Sequence, residues 1–191
     1  MGLGNPGARY DATRHNVGWW LVDLLKQRWS ATPFQEEDLW LRSTAVVSGV
    51  GDVWLIKPTL YMNRSGIAVR ALLDAGSIDS ERDLLIVVDD VALAPGQPRF
   101  RARGSAGSHN GLQSVEDALG TREYARLRIG VGSAPPGVFL TDWVLSEFDD
   151  PADEDAVLAV LPRLVEGVEV WARDGVEMAM NRYNVPSSSQ E

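Results

Sequence analysis

Cysteine is missing altogether from these 191 residues, histidine occurs only twice, and only two of the 18 basic residues are lysine. Without cysteine there is no disulfide and no thiolate metal site. No apolar stretch approaches the roughly 20 residues that a membrane-spanning helix needs, and the opening residues lack the charged-then-apolar layout of a secretory signal. The chain therefore reads as a cytoplasmic protein with no membrane partner. The scarcity of lysine reads as compositional bias ahead of any special guanidinium chemistry.

What the chain has in excess is negative charge, −9 at neutral pH. Spread evenly, that balance would argue against a nucleic-acid partner. It is not spread evenly. Met1 to Thr141 holds 15 basic and 15 acidic residues, whereas Asp142 to Glu191 holds 3 and 12. Between Arg99 and Arg128 six arginines stand against Glu116, Asp117 and Glu123, a local balance of +3. A small basic face thus fits on an acidic protein. Length and an ordinary apolar content suit a single globular domain, taken as residues 1–185, with a flexible tail over 186–191.

Along the chain, Val17, Trp20, Leu21, Leu24 and Leu25 recur at helical spacing, which predicts a helix from about Asn16 to Trp29. Thr44 to Val50 and Val53 to Ile56 are rich in β-branched residues around Gly51-Asp52 and predict a hairpin closed by Lys57-Pro58. Ser65 to Ala75 is helical with Gly76 as its stop, and Leu84 to Val88 is a wholly apolar run suited to a strand buried on both faces, with Asp89 and Asp90 at its exit. Pro98 to Arg103 alternates Arg99, Arg101 and Arg103 with Phe100 and Ala102, the pattern of a half-buried strand with a basic outer face. Gly104 to Gly111 is a loop, Leu112 to Leu119 a helix ended by Gly120, and Arg126 to Val131 another strand. Ala134 to Gly137 is a loop, and from Asp153 a long helix runs to about Arg173 with Pro162 as a kink, before Gly175 and a last short helix. Strands interleaved with helices make this an α/β chain with a mixed sheet.

The most polar and most broken stretch is MGLGNPGARYDATRHNVG at the start, which reads as a site loop. Its Gly2, Gly4 and Gly7 match the GxGxxG dinucleotide pattern, but the context rejects it: no strand precedes Gly2 in this sequence, Pro6 stands where the helix should open, and Asp23 falls inside a helix. Ser65, Ser105 and Ser108 offer hydroxyls, yet none occupies a GxSxG elbow. A metal site would have to combine two separated histidines with Asp89 and Asp90, without HExxH spacing. What remains is water activated by an imidazole. Both histidines are followed by asparagine, His15-Asn16 and His109-Asn110. An imidazole that takes a proton from water needs a carboxylate on its other nitrogen to hold the tautomer, and Asp89, at the end of a buried strand, is the natural partner for His15. The alternative is that His15 caps or packs the following helix and Asp89 is a loop carboxylate. Asn5, Asn63 and Asn110 add groups able to place a water, grip a carbonyl or steady an oxyanion, although turn formation is the commoner use of each alone.

Four segments, GLGNPGARYDATRHNVG, KPTLYMNRSG, DDVALAPGQPRFRARGSAGSHNGLQS and RLRIGVG, closely resemble those of bacterial peptidyl-tRNA hydrolases, in the same order. The resemblance implies a single α/β domain with a mixed, mostly parallel sheet flanked by helices in three layers, acting as a monomer. It implies cleavage of the ester between a nascent peptide and the 3′ end of tRNA, with no metal and no cofactor. His15 would be the general base and Asp89 its partner. Asn5 and Asn63 would hold peptide and tRNA-terminal groups, Asn110 would grip the peptide backbone or bridge to the water, Tyr10, Tyr61 and Met62 would shape the cleft, and His109 would line its rim. Arg99, Arg101 and Arg128 would face tRNA phosphates.

Three departures from the family pattern stand out. The apolar strand expected before Gly2 is missing, since Met1 abuts it, which points to a start upstream or to a sheet lacking its first strand. Ser108 replaces a glycine in the GGHNG pattern, which matters if a positive φ is needed there. Leu60 replaces the usual threonine. A catalytically inactive RNA-binding relative is the competing function, and a general esterase a third.

Overall fold

The computed structural model describes residues 1–75, 78–80 and 82–184. Its strands form two three-stranded sheets. β1 (Gln35–Glu36), β2 (Trp40–Val47) and β3 (Gly51–Pro58) pair antiparallel in that order, and in the second sheet β6 (Ala125–Gly130) lies between β4 (Leu85–Asp90) and β5 (Pro98–Arg101). β4 runs parallel to β6 and β5 antiparallel to it. The expected mostly parallel sheet is therefore corrected: one sheet is antiparallel throughout and the other mixed. A two-residue strand such as β1 is too short to leave a periodic signal.

β4 is buried along its whole length, Leu85 to Val88 as an apolar run requires and Asp89 and Asp90 together with it. Its side chains alternate between two cores. Leu85 and Val87 join Leu127, Ile129 and Phe100 beneath α1 (Val17–Arg28) and α5 (Pro151–Asp174). Leu84, Ile86 and Val88 point the other way, toward α2 (Ser65–Ala75) and α3 (Asn110–Leu119). Where α2 meets α3, Gly66 permits contact of backbone on backbone: a Cβ there would stand 1.9 Å from the Ser114 carbonyl oxygen.

The first three residues occupy the seam between the sheets. The Gly2 N–H donates to the Ile56 carbonyl of β3, while Leu3 N–H donates to Val87 and Val87 N–H returns a bond to Met1. Only an isolated parallel bridge between Gly2 and Val87 is formed, so a first strand proper is absent from the described chain.

Several boundaries move. The hairpin turn falls at residues 48–50, because Val47 pairs with Gly51 and Gly49 takes the left-handed φ of 78° that closes so short a loop. Gly51-Asp52 thus opens β3, and Lys57-Pro58 belongs to it. α3 starts at Asn110, since His109 caps it, and α5 starts at Pro151 behind the Asp150 cap, with Pro162 inside. α4 (Leu140–Val144), only five residues long, has no sequence signal of its own, and α6 (Val176–Tyr183) follows Gly175 as expected. Gly76 and the tail over 186–191 lie outside the described residues.

Candidate active site

Three successive residues of one 3-10 turn, Arg14–Asn16, grip three different parts of the molecule. All three are buried although all are polar. Asn16 holds the glycine-rich loop: its Oδ1 accepts from the Asn5 N–H at 2.8 Å and its Nδ2 donates to the Asn5 carbonyl at 3.0 Å. His15 reaches the end of β4, where its Nδ1 lies 2.7 Å from Asp89 Oδ1. Arg14 turns toward the segment that follows α4.

His109 approaches the same carboxylate oxygen, with Nε2 at 3.0 Å. Its Nδ1 accepts from the Gly111 and Leu112 N–H groups at 3.1 and 3.2 Å. A nitrogen that accepts two backbone N–H groups carries no proton, so the Nε2–H donates to Asp89. His109 is therefore buried beside Asp89 as a helix cap, while it also lines the cleft. The two rings lie 5.1 Å apart between centroids.

With two N–H donors on one oxygen, Asp89 stays ionised. Burial pushes its pKa up, but the neighbouring histidines and their hydrogen bonds outweigh this and hold it well below the usual carboxylate range. Burial also disfavours a charged His15; the charge of Asp89 and the hydrogen bond to it prevail, and the His15 pKa lies above 6.5. His15 Nδ1–H points to the acid, which leaves the Nε2 lone pair directed away from it.

These groups line a cleft of about 440 Å³ that also includes Asn63, Asn110, Tyr10 and Tyr61. The Oδ1 of Asn5 accepts from the Met62 N–H at 2.8 Å, which fixes the amide orientation and leaves its NH₂ without an acceptor among the described residues. Met62 touches the cleft but is itself almost wholly buried, in the core beside Leu3 and Leu112. Tyr10 and Tyr61 meet edge to face with centroids 6.4 Å apart. Asn63 and Asn110 are exposed. The positive φ of the 104–109 loop falls on Gly104 and Gly107, not on Ser108, so the serine needs no unusual backbone.

His15, Asp89 and His109 also form a set whose potential metal-ligating atoms lie within 4.8 Å of one another. Their separations of 2.7 and 3.0 Å to a single oxygen are those of a completed hydrogen-bonded trio.

The arginines split into two groups. Arg128 lines the cleft with its donors engaged, to Asp90 Oδ2 at 3.2 Å and to the Ser105 and Ala106 carbonyls at 2.7 and 3.3 Å. Arg126 is fully buried against Glu116 and the Gly104 carbonyl. Arg99 and Arg101 pair directly with Arg128 and Arg126 across β5 and β6, outside the cleft lining. Neither Arg99 nor Arg101 has an acid within ion-pair distance among the described residues.

Arg14 and Asn16 carry no site role in the sequence pattern alone. Their burial does leave a signal there: three polar residues run directly into a helix whose apolar stripe begins one residue later, so they too must enter the interior.

An α/β domain whose cleft presents a carboxylate-held imidazole and several carboxamides has the make-up of a hydrolase that works on a polar substrate. Comparison with known proteins narrows the class. A family model described as peptidyl-tRNA hydrolase matches residues 1–191. The peptidyl-tRNA hydrolase of Symbiobacterium thermophilum is 47% identical over 188 residues, covering 96% of this chain and 97% of that protein, and that of Gemmatimonas aurantiaca is 41% identical over 185 residues. The crystal structure of peptidyl-tRNA hydrolase from Acinetobacter baumannii superposes with a TM-score of 0.89 at 30% identity, over 96% of this chain and 92% of that one. The chain belongs to the peptidyl-tRNA hydrolase family.

Proposed function

We propose that this protein hydrolyses the ester between peptide and tRNA, with His15 as general base on water. The 2.7 Å contact between His15 Nδ1 and Asp89 carries the reading. It fixes the tautomer in which Nε2 can accept a proton, and it supplies a negative charge to stabilise the imidazolium as water attacks. The ester carbonyl then becomes an oxyanion, toward which the free NH₂ of Asn5 and the amides of Asn63 and Asn110 can donate. Collapse of that intermediate expels the ribose oxygen, and the proton held on His15 Nε2 returns to it. No step draws on a metal or cofactor. The protein works as a cytoplasmic monomer, with residues 1–185 as its one domain.

Arg99 and Arg101 are offered to phosphates, whereas Arg128 serves by holding Ser105 and Ala106 beside Asp90 at the cleft edge. Tyr10 and Tyr61 provide the apolar flank for the peptide. No helix is long and apolar enough to cross a membrane among the described residues.

Release of peptide from a short peptidyl-tRNA, measured for the wild type and for His15→Ala, tests the reading. Turnover by the wild type and a loss of about 10³-fold or more in the variant is expected for removal of a general base. Equal rates in both proteins would remove His15 from the mechanism, and binding without turnover by the wild type would favour the inactive RNA-binding relative.

A further inference from the structure

We propose that Arg14 is a positioning residue for the reaction, setting the distance between His15 and the opposite wall of the cleft. That wall is α4 with its return, where Leu140, Thr141, Val144 and Leu145 line the same cleft as His15. The inference rests on the peptidyl-tRNA hydrolase reading of this cleft.

Arg14 is completely buried, a rare state for arginine. Its guanidinium lies 3.5 Å from the centroid of Trp143, and 4.8 Å from that of Phe148. The Trp143 indole N–H in turn donates to the Gly132 carbonyl at 2.9 Å, just beyond β6. The edge of the guanidinium donates to Ser146 Oγ at 2.7 Å and to the Glu147 carbonyl, and more distantly to Asp149 at 3.4 Å. The Arg14 backbone N–H donates to the Ser146 carbonyl at 3.1 Å, and Thr13 bridges to Glu147. The wall is thus tied to the turn carrying His15 from several directions, all through Arg14 or its neighbour.

The cost of this arrangement argues that it sets geometry. Burial opposes the charge on Arg14, with Asp149 and Asp153 only partly compensating, and Nε has no hydrogen-bond partner among the described residues. Asp149 is itself largely exposed, so the charge is not neutralised by a buried acid. An apolar side chain would fill the same space with less desolvation. What it would lack is the flat face that stacks on Trp143 while its edge reaches the Ser146 and Glu147 carbonyls and the Ser146 hydroxyl at once. Lysine, with a compact ammonium, also lacks it. The arrangement therefore fixes the wall in one place relative to His15, and a substrate held by that wall meets the base at one distance.

The test uses Arg14→Lys and Arg14→Gln, each assayed on a short peptidyl-tRNA well below its own melting temperature, together with Trp143→Leu and the Arg14→Lys/Trp143→Leu pair. KM is expected to rise about tenfold in the Arg14 variants with a smaller fall in kcat, because the displaced wall grips substrate less well. The acid midpoint of the kcat/KM profile stays at the wild-type pH, since the His15–Asp89 contact is untouched. In the Trp143→Leu background the Arg14→Lys effect shrinks to about twofold or less, as for residues acting through one contact. Should Arg14→Gln fail to fold, Arg14→Lys, which keeps the charge in place, still reads KM. An unchanged KM in a folded variant, additive effects in the double variant, or a displaced acid midpoint would each overturn the inference. A wild type without turnover would instead overturn the functional reading beneath it.

Discussion

Asn5 and Asn16 exchange a pair of hydrogen bonds, the Asn5 backbone serving Asn16 as both donor and acceptor. The exchange frees the Asn5 side chain to use its oxygen on Met62 N–H and present its NH₂ to the cleft. Asn16 itself never reaches the cleft lining.

Asn16→Ala leaves one buried N–H and one buried carbonyl without partners, each costing about 1–3 kcal/mol. The melting temperature is expected to fall by about 4–24 °C. Because Asn5 and His15 both shift, kcat/KM should fall about 10–100-fold at temperatures where the variant is folded. Thermal unfolding and steady-state kinetics check both. A variant that melts lower but keeps full kcat/KM would confine Asn16 to stability.

Activity needs neutral His15, whose pKa lies above 6.5. The kcat/KM profile should therefore fall on the acid side with a midpoint above pH 6.5. Asp89→Asn removes the charge that holds the value up and leaves burial, which pushes it down. The midpoint then moves below that of the wild type, while the rate drops by about 10³–10⁴-fold because the amide no longer enforces the productive tautomer. A midpoint that stays put in the variant would disconnect the acid from the base.

Folding stability follows the same pair with opposite signs. The raised His15 contributes stabilisation that is complete below its unfolded pKa of about 6.5 and is lost as pH rises through the folded value. The depressed Asp89 contributes above about pH 4 and its share is lost as pH falls below that. Urea unfolding across this range should show the pair's contribution greatest between about pH 4 and 6.5, and the Asp89→Asn variant should lose that excess.

Gly66→Ala forces a methyl group to within 1.9 Å of the Ser114 carbonyl oxygen, so α2 and α3 must separate. Backbone cannot yield as a flexible side chain would, and a cost of about 3 kcal/mol or more is expected. A melting temperature within about 2 °C of the wild type would show that the helices can part freely.

Arg99 and Arg101 face Arg128 and Arg126 across the β5–β6 pair; Asp90 and Glu116 pair with the latter two, which leaves Arg99 and Arg101 without an acid within ion-pair distance among the described residues. The Arg99→Ala/Arg101→Ala double variant should raise KM for peptidyl-tRNA and reduce the slope of log affinity against log salt by about 1 per arginine. An unchanged slope would take the phosphates elsewhere.

How much of this could be read from the letters depends on how local each cause is. The apolar run ending at Asp89 and the stripe beginning at Val17 carry their burial in their own pattern, so β4 and α1 were legible, as was the meeting of His15 with Asp89 through the family resemblance. The antiparallel first sheet was not, because its pairing is set by contacts between segments. The hairpin turn was misplaced because two glycines, Gly49 and Gly51, competed for it and only register decides. The capping role of His109 was not legible, because nothing in GSHNG announces a helix cap whose far nitrogen touches a carboxylate twenty residues earlier. Arg14 and Asn16 flank the histidine so closely that they passed for loop polarity.

The run Met1–Leu3 has hydrogen-bonded neighbours on both sides, β3 through Ile56 and β4 through Val87. Two residues later comes Asn5. A loosening of either sheet, from a distant substitution or from heat, is thus transmitted along a few bonds to the carboxamide meant to meet the oxyanion. Turnover should consequently decline at temperatures below those at which the bulk of the chain melts.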